Sequence, residues 1–426
     1  MRRTPKSLRL QIAIFGRTNV GKSSFLNLIA GQDVAITSSI PGTTTDVVEK
    51  LMELHPIGPV CLLDTAGIDD KSDLGEKRIK RTKRIFERAD VTVLLVESQI
   101  WGEFEESVVK EAKERDIPLI IVINKIDLKK PSQEFKEKLS QFSNHILEVC
   151  SLDWEDKDKY INELEKHLLQ ICPKEFLNPP PLIGDLIPGG SLVILIVPID
   201  LEAPRGRLIL PQVQTIRDIL DNDACCVVVK EKEYPHLLSK LKELPSIVVC
   251  DSQVVLKMVA DTPRNIKCTT FSILFARYKG DLAKVVKGAL AIEKLKPNDK
   301  VLIAEACSHH PIEDDIGRVK IPRWLRQFVG GDLKIDVCAG RDYPESLGEY
   351  KLIIHCGGCM LTRREMLSRI HQAKEKGVPI TNYGVCISYL QGVLERVLSP
   401  FPYILEIYRQ EREKMKEKKY VYTSKR

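Results

Sequence analysis

Eight consecutive residues near the start of the chain have the types and spacing of a phosphate-binding loop. The segment Gly16–Ser23 has the sequence GRTNVGKS, which fits the pattern Gly-x-x-x-x-Gly-Lys-[Ser/Thr] between a strand-like run and a helix-like run. Its glycines let backbone N–H groups turn towards a phosphate, Lys22 supplies a positive charge, and the Ser23 hydroxyl can bind Mg²⁺. The pattern predicts a nucleotide site whose contacts include Asn19, Val20, Gly21, Lys22, Ser23 and Ser24.

Three further segments supply groups that complete such a site. Asp64-Thr65-Ala66-Gly67 ends an apolar run, where Asp64 can hold Mg²⁺ through water and the N–H of Gly67 can reach a γ-phosphate. Thr43-Thr44-Thr45 lies in a stretch rich in Gly, Ser and Thr, which suits a switch segment. Asn124-Lys125-Ile126-Asp127 follows the run IPLIIVIN. The Asp127 carboxylate can accept two hydrogen bonds from guanine, and adenine lacks that donor pair, so the pocket is expected to select guanine.

In this order the motifs resemble those of the GTPase superfamily, and in particular its potassium-activated branch, the tRNA-modification and ribosome-assembly GTPases. Members of that branch have Asn in the phosphate loop and the string Pro-Gly-Thr-Thr, which are present here as Asn19 and Pro41-Gly42-Thr43-Thr44. The resemblance implies that Asn19 binds K⁺. It also implies that Ser23, Thr44 and Asp64 bind Mg²⁺ beside GTP or GDP.

The chain departs from that branch at several positions. Ile68 follows Asp-Thr-Ala-Gly, and a hydrophobic side chain cannot orient a water molecule. In the tRNA-modification relative a distant Glu does so, and its spacing falls on Glu76. The alternative for Glu76, within the run KSDLGEKRIKRTKR, is a solvated carboxylate. Cys150-Ser151 lies where the loop beneath the base is expected, with Cys in place of the family's Ser. The resemblance thus implies a catalytic set of Lys22, Thr44, Gly67 and Glu76.

A second group of residues, rich in cysteine and histidine, lies in the last third of the chain. Cys307-Ser308-His309-His310 ends one predicted strand, and His355-Cys356-Gly357-Gly358-Cys359 ends another. In parallel α/β sheets, ligands gather at the carboxyl ends of strands, so we expect these cysteines to converge. A zinc ribbon needs a second Cys-x-x-Cys, and none is present. Three thiolates suit an iron–sulfur cluster better than Zn²⁺, whereas Cys338 and Cys386 are expected to be core thiols.

Cys-x-His, a gap of 45 residues between the histidines, and His-Cys-x-x-Cys, all downstream of a GTPase domain, resemble the FeFe-hydrogenase maturation GTPases (the HydF family). The resemblance covers the whole chain. It implies a 4Fe–4S cluster held on Cys307, Cys356 and Cys359. His309 and His355 are candidates for the fourth ligand or for a hydrogen bond to the cluster.

That family implies a scaffold or carrier for which GTP turnover acts as a timing signal. The scaffold receives a transient diiron precursor that bears CO and cyanide, which two radical SAM maturases help to build, and delivers it to apo FeFe-hydrogenase. Two alternatives remain open. One is an RNA- or ribosome-associated GTPase with a structural metal site. The other is a metabolic enzyme that uses the cluster as an electron carrier or Lewis acid, which would need a substrate pocket with paired acid and base groups.

The elements that must position these residues alternate between strand-like and helix-like segments. The pattern predicts an α/β protein of three α/β domains, the first a P-loop GTPase fold with a mostly parallel sheet and the third a Rossmann-like iron–sulfur domain. We expect the following layout: residues 1–172 for the GTP-binding domain, 173–184 for a Pro-rich linker, 185–268 for a small dimerisation domain, and 269–426 for the cluster-binding domain.

Composition limits the partners and the compartment. The formal charge of +6 is concentrated at the two ends of the chain, in residues 1–9 and 407–426, which favours solvated termini over a nucleic-acid surface. Twelve cysteines in 426 residues are too few for a disulfide framework. No apolar run approaches the roughly 20 residues of a membrane span. We therefore expect a cytoplasmic homodimer, with a dimer of dimers as the larger assembly, that binds neither nucleic acid nor membrane.

Overall fold

The computed structural model describes residues 5–30, 36–37, 48–54, 56–64, 82–177, 180–198, 208–306, 315–340, 343–344 and 346–423. The chain divides into two compact units, Met1–Pro179 and Pro180–Arg426. No helix within the described residues is long and apolar enough to cross a membrane.

The first unit contains a mostly parallel sheet with seven strands among the described residues, in the order β2-β3-β4-β1-β5-β6-β7. Among the described strands, the two pairings of β3, with β2 and with β4, are antiparallel, and the other pairings are parallel. The strands are β1 Leu10–Gly16, β2 Ile36–Thr37, β3 Val48–Leu54, β4 Gly58–Asp64, β5 Val91–Glu97, β6 Leu119–Asn124 and β7 Ile146–Val149. The helices, in addition to a helical turn at 82–86, are α1 Lys22–Ala30, α2 Glu103–Glu114, α3 Gln133–Ser140, α4 Lys157–Ile171 and the single turn α5 Lys174–Leu177.

Both faces of this sheet are buried, which explains the continuous apolar runs in its strands. In β1, Ile12 and Ile14 pack on one face with residues of α1 and α4. Ala13 and Phe15 pack on the other face with residues of α2 and α3. The β1 strand therefore lies at the centre of a three-layer arrangement, and the phosphate loop that follows it starts from a rigid position.

The second unit contains two parallel sheets of four strands each within the described residues, in the orders β11-β10-β8-β9 and β13-β12-β14-β15. The strands of the first are β8 Leu192–Ile196, β9 Cys225–Val229, β10 Ile247–Cys250 and β11 Lys267–Thr270. Those of the second are β12 Lys300–Ala304, β13 Lys334–Cys338, β14 Leu352–His355 and β15 Ile380–Asn382.

Helices cover both sheets of the second unit, and one hydrophobic core joins the sheets. Buried residues of both contribute to that core, among them Ile194, Val248, Ile303 and Ile354. The helices are α6 Leu210–Asp221, α7 Tyr234–Lys240, α8 Val255–Asp261, α9 Phe271–Lys279, α10 Leu282–Ala289, α11 Ile321–Val329, α12 Arg363–Glu375, α13 Tyr383–Leu390, α14 Leu394–Val397 and α15 Pro402–Thr423.

The α/β class and the mostly parallel first sheet are confirmed, and two details of the expected layout differ. Strand β11 crosses the expected boundary at residue 268, so the second sheet extends to Thr270. Its sequence KCTT has too few apolar residues to be distinguished from a loop, yet Thr269 and Thr270 are fully buried. The expected linker also ends inside the second unit, because Leu182 and Ile183 belong to its core.

Candidate nucleotide site and cysteine loop

The motifs of the first unit meet at the carboxyl edge of its parallel strands. The phosphate loop begins at Gly16, the last residue of β1. Asp64 ends the neighbouring strand β4 and is buried, and Asn124 ends β6. Parallel strands present their carboxyl ends on one side of a sheet, so the fold itself brings these segments together.

The backbone of the phosphate loop requires the residues found in it. Gly21 has φ +96°, and a Cβ atom there would lie 2.4 Å from Nδ2 of Asn124, so only glycine fits. Asn19 has φ +63°, a conformation that Asn tolerates better than most residues. The Lys22 ammonium donates to the carbonyl oxygens of Gly16 and Arg17. The ammonium group therefore lies across the phosphate loop, to which it is expected to supply a positive charge.

Asn124 connects the phosphate loop to the loop after β7. Its Nδ2 donates to the Val20 carbonyl over 2.8 Å, and its Oδ1 accepts from the Ser151 N–H over 3.1 Å and from the Ser151 hydroxyl over 2.8 Å. The side chain is only 1% exposed, so these bonds replace water. Asn124 and Ser151, both predicted as nucleotide contacts, thus act here as a link between two loops of the site.

Asp127 is exposed, and its neighbours hold the segment around it. Lys125 has φ +60° and forms an ion pair with Glu97 at 2.7 Å. Burial raises the pKa of the Cys150 thiol, and the nearby Asp127 carboxylate raises it further. Cys150 therefore remains a protonated hydrogen-bond donor beside Asp127, the role that a Ser hydroxyl would otherwise have at this place.

One interaction of the phosphate loop was missed by sequence analysis. Arg17 makes two hydrogen bonds of 2.6 Å to the carboxylate of Glu105, which is 1% exposed and also accepts from the N–H of Gly102. This bidentate pair fixes the loop to the start of α2. Glu105 is 88 positions from Arg17, in the acidic run EFEES, and nothing in that run marks it as buried.

Several predicted site residues lie outside the described residues: Thr44, Gly67, Ile68, Glu76, Cys307 and His309. Of the predicted cluster site, the structure describes His355, Cys356 and Cys359. We call residues 356–361 the cysteine loop.

Cys356 lies against the end of the neighbouring strand β12. Its N–H donates to the Ala304 carbonyl over 2.8 Å, and its Sγ accepts from the N–H of Ala306 over 3.1 Å. Ala306 directly precedes Cys307 in the chain. The structure thus brings Cys356 next to the segment that carries the third predicted cysteine, with an N–H···S bond of the kind that stabilises cluster thiolates.

The turn between Cys356 and Cys359 depends on a single glycine conformation. Gly358 has φ +63°, whereas Gly357 lies outside that left-handed region. Burial raises the pKa of the Cys359 thiol, and the charge of Lys279 opposes that rise. A metal ion would deprotonate such a thiol outright.

Lys279, the last residue of α9, was not predicted as part of any site. Its side chain is 2% exposed, and its Nζ donates to the carbonyls of Gly358 (3.3 Å), Cys359 (3.0 Å) and Leu361 (2.8 Å). Burial lowers its pKa to about 8, while the charges of Cys359, Glu365 and Cys356 act in the opposite direction. The lysine therefore holds the backbone of the cysteine loop from beneath.

Both ring nitrogens of His355 have protein partners. A guanidinium can only donate, so Nε2 accepts from Arg369 over 2.8 Å, and Nδ1 carries the proton and donates to the Cys356 carbonyl over 2.8 Å. Burial, assisted by the charge of Arg369, lowers the pKa of His355 to about 3, so the ring is neutral. Arg369 is itself held by the Gly340 carbonyl. This geometry supports the loop rather than offering a free ligand.

The described residues fit one edge of an iron–sulfur site. Two cysteines share a short loop, one sulfur accepts an N–H, and a buried cation lies beneath. Within the described ranges, which exclude 307–314, no group of three metal-ligating side chains occurs. Cys386 is fully buried, as expected for a core thiol. Cys338, at the end of β13, is half-buried and packs against a smaller core that includes Leu302 and Ile353.

Comparison with curated proteins finds relatives of the first unit. The tRNA modification GTPase MnmE of Synechococcus sp. (strain JA-3-3Ab) is 47% identical over 121 residues, which are 28% of this chain and 26% of that protein. MnmE of Clostridioides difficile (strain 630) is 36% identical over 159 residues, which are 37% of this chain and 34% of that protein. The chain thus spans a quarter to a third of the length of these curated relatives.

Among solved structures, the G domain of the T. maritima FeoB iron transporter is 20% identical and has a TM-score of 0.31, over 38% of this chain and 98% of that chain. Era of Aquifex aeolicus bound to GDP.AlF4- is 23% identical and also has a TM-score of 0.31, over 52% of this chain and 92% of that chain.

Family models match all three parts of the chain. Residues 11–125 match a 50S ribosome-binding GTPase model, which agrees with the strand order and phosphate loop described above. Residues 182–280 match the hydrogen maturase F dimerization domain, and residues 283–400 match the hydrogen maturase F tetramerization domain. The last two matches together cover about half of the chain, so the chain belongs to the hydrogen maturase F family, with a GTPase domain at its N-terminal end.

Proposed function

We propose that this hydrogen maturation GTPase is a scaffold that holds a 4Fe–4S cluster, carries a diiron precursor and transfers it to apo FeFe-hydrogenase. The observation that carries the proposal is the cysteine loop, where Cys356 and Cys359 lie above a buried lysine and beside the chain that leads to Cys307. The alternative of an RNA- or ribosome-associated GTPase accounts only for the N-terminal match.

In the GTPase domain, the phosphate loop binds GTP and Lys22 neutralises charge on the transferred phosphoryl group. Mg²⁺, when bound by Ser23 and Asp64 with Thr44, neutralises charge between the phosphates. Asp127 selects guanine through its two hydrogen bonds. Asn124 holds the phosphate loop and the loop after β7 in a fixed relative position through its bonds to Val20 and Ser151. Gly67 is proposed to contact the γ-phosphate, and Glu76 to orient water in place of Ile68.

In the second unit, Cys307, Cys356 and Cys359 are proposed to hold the cluster. A cluster on three cysteines leaves one iron with an exchangeable position, which suits a site that accepts and releases a cargo. His355 supports the loop through the Cys356 carbonyl, and His309 remains the candidate for a direct contact. The N–H of Ala306 donates to the Cys356 sulfur and helps to fix its position.

The domains that surround the cysteine loop are a dimerization and a tetramerization domain. This agrees with the expected homodimer and with a dimer of dimers as the larger assembly. The expected dimerisation segment 185–268 lies inside the matched dimerization domain at 182–280. We propose apo FeFe-hydrogenase and two radical SAM maturases as the other partners.

The scaffold function is tested by purifying the full chain anaerobically after expression with and without the two maturases. Iron content and sulfide should show a 4Fe–4S cluster in both preparations. Infrared bands of CO and cyanide should appear only in the first, and that preparation alone should activate apo-hydrogenase. A chain that binds iron but never shows these bands or activates the hydrogenase would contradict the carrier function.

Potassium is proposed as an activator through the exposed side chain of Asn19. Replacing K⁺ by Na⁺ should slow GTP turnover by about tenfold or more. A cation at the phosphates contributes much of the stabilisation of negative charge in the transition state of phosphoryl transfer. Asn19→Gly keeps the positive φ and removes the amide oxygen, so it should bind GTP but lose the K⁺ effect. Steady-state hydrolysis in the two salts decides the matter, and equal rates in both would contradict the K⁺ site.

A further inference from the structure

Lys279 and the cysteine loop come from two different domains. Lys279 ends α9 within the matched dimerization domain, and the loop 356–361 lies in the matched tetramerization domain. We propose that Lys279 is a positioning residue of the cluster site, which fixes the backbone of the cysteine loop and supplies a positive charge beneath Cys356 and Cys359. The charge part of this inference rests on the proposed function, and the positioning part does not.

The hydrogen bonds of Lys279 account for all of its donors. An ammonium has three N–H groups and no acceptor, and Nζ reaches the three carbonyls of Gly358, Cys359 and Leu361 at 2.8–3.3 Å. These carbonyls belong to the loop between β14 and α12. The Gly358 carbonyl also accepts from the N–H of Leu361 over 3.0 Å, so the lysine adds a second bond there and supplies donors to the carbonyls of Cys359 and Leu361.

The three carbonyls satisfy the donors but do not cancel the positive charge. Burying a charge is costly unless an opposite charge lies near it, and the side chain is 2% exposed. The groups that act on Lys279 electrostatically are Cys359, Glu365 and Cys356. Glu365 supplies one negative charge, and thiolates bound to a cluster would add negative charge at the other two positions. The buried ammonium therefore suits a loop that holds an anionic group.

Helix α9 is itself fixed at both ends, which makes Lys279 a rigid support. At its start, the Ser272 hydroxyl accepts from the N–H of Gly384 and from the Asn382 amide, over 3.2 and 3.1 Å. At its end, the Tyr278 carbonyl accepts from Arg363 over 2.5 Å. These contacts hold α9, and with it Lys279, in a fixed position relative to the segments on either side of the cysteine loop.

The first test uses the full-length apoprotein and needs no cluster. In Lys279→Met, amide hydrogen exchange in the segment 356–362 should become at least about tenfold faster, because three charge-assisted hydrogen bonds are lost. Lys374→Met, at an exposed lysine of α12, is the matched control and should leave exchange unchanged. Unchanged exchange in Lys279→Met would overturn the positioning role.

The second test separates charge from hydrogen bonding in the reconstituted protein. Lys279→Gln keeps two donors without the charge, and Lys279→Arg keeps the charge. In an electrode titration followed by electron paramagnetic resonance, Gln and Met should make the cluster about tenfold harder to reduce, which is a decrease of 59 mV for one electron. Arg should restore the wild-type potential. A potential that is the same in all four proteins would overturn the charge role.

Different results would contradict the positioning role, the charge role and the proposed function. If the wild-type chain binds no cluster, the proposed function fails, and the hydrogen-exchange comparison still decides whether Lys279 positions the loop. If Lys279→Met does not fold, as judged by its melting curve and GTP hydrolysis, Lys279→Ala, which also removes the donors and the charge, takes its place in both tests. Wild-type exchange in Lys279→Ala together with an unchanged potential would then overturn the proposal.

Discussion

Replacing Cys356 or Cys359 by Ser should abolish the 4Fe–4S cluster, with iron falling to the background of an unreconstituted sample. A serine oxygen is a hard ligand that binds iron of a cluster far less well than a soft thiolate does. Cys307→Ser is expected to do the same, on the strength of the sequence pattern. Iron and sulfide analysis and the paramagnetic signal of the reduced protein measure the loss. GTP hydrolysis should remain, because the nucleotide site lies in the other compact unit.

Two other cysteines of the second unit provide the controls, Cys338 at the end of β13 and Cys386 in α13. Cys338→Ser and Cys386→Ala should both keep the cluster. Alanine is the better choice at Cys386, because this side chain is fully buried among apolar residues and a serine hydroxyl would have to be buried with it. Its loss of packing should lower the melting temperature without changing the iron content. Full cluster occupancy in Cys356→Ser, or its loss in Cys386→Ala, would contradict the assigned ligands.

The parts of both sites that were predictable from sequence depend on short-range pattern. The phosphate loop, Asn124 and the cysteine loop each follow a buried parallel strand, and the edge at which such strands end is fixed by topology. Their residue types are the ones that phosphate or guanine needs and, in the cysteine loop, the ones that the proposed cluster would need. The alternation of strands and helices also sufficed for the fold class, and the continuous apolar runs reflect strands buried on both faces.

The parts that were not predictable are contacts between distant segments. Lys279 lies 79–82 positions from the carbonyls that it binds, and Glu105 lies 88 positions from Arg17. In sequence, each resembles an ordinary charged residue of a helix: Lys279 at the end of FSILFARYK and Glu105 in EFEES. Only the packing of helices against sheets buries these charges, and burial is what turns a solvated side chain into an anchor.

His355 shows the same limit in another form. The sequence placed it beside two cysteines and left open whether it ligates the cluster or forms a hydrogen bond near it. The choice depends on Arg369 and on the Cys356 carbonyl, which together occupy both ring nitrogens. A residue 14 positions away thus supplies one of the two hydrogen-bond partners of the ring, through a contact that no local pattern contains.

Asp127→Asn should change the preferred nucleotide from GTP to xanthosine triphosphate. The carboxylate accepts hydrogen bonds from N1–H and the 2-amino group of guanine, whereas an amide can accept one bond and donate another, which suits the carbonyl that xanthine carries at that position. A pocket built to pair such groups discriminates strongly against an analogue that leaves them unpaired, so GTP affinity should fall by at least about a hundredfold. Affinities for both nucleotides and their hydrolysis rates measure the exchange.

The structure allows this effect to be separated from damage to the fold. Asp127 is exposed, whereas the loop-to-loop contacts run through Asn124, so the variant should melt like the wild type. Asp116→Asn is the matched control: Asp116 is an exposed aspartate of the same domain at φ +52°, a conformation that Asn adopts readily. It should leave both affinities unchanged.

Because the cysteine loop lies in the other unit, Asp127→Asn should also retain its cluster. Xanthosine triphosphate then becomes a selective probe of whether nucleotide turnover controls the timing of cargo release. An Asp127→Asn protein that still preferred GTP would show that guanine is selected elsewhere in the domain.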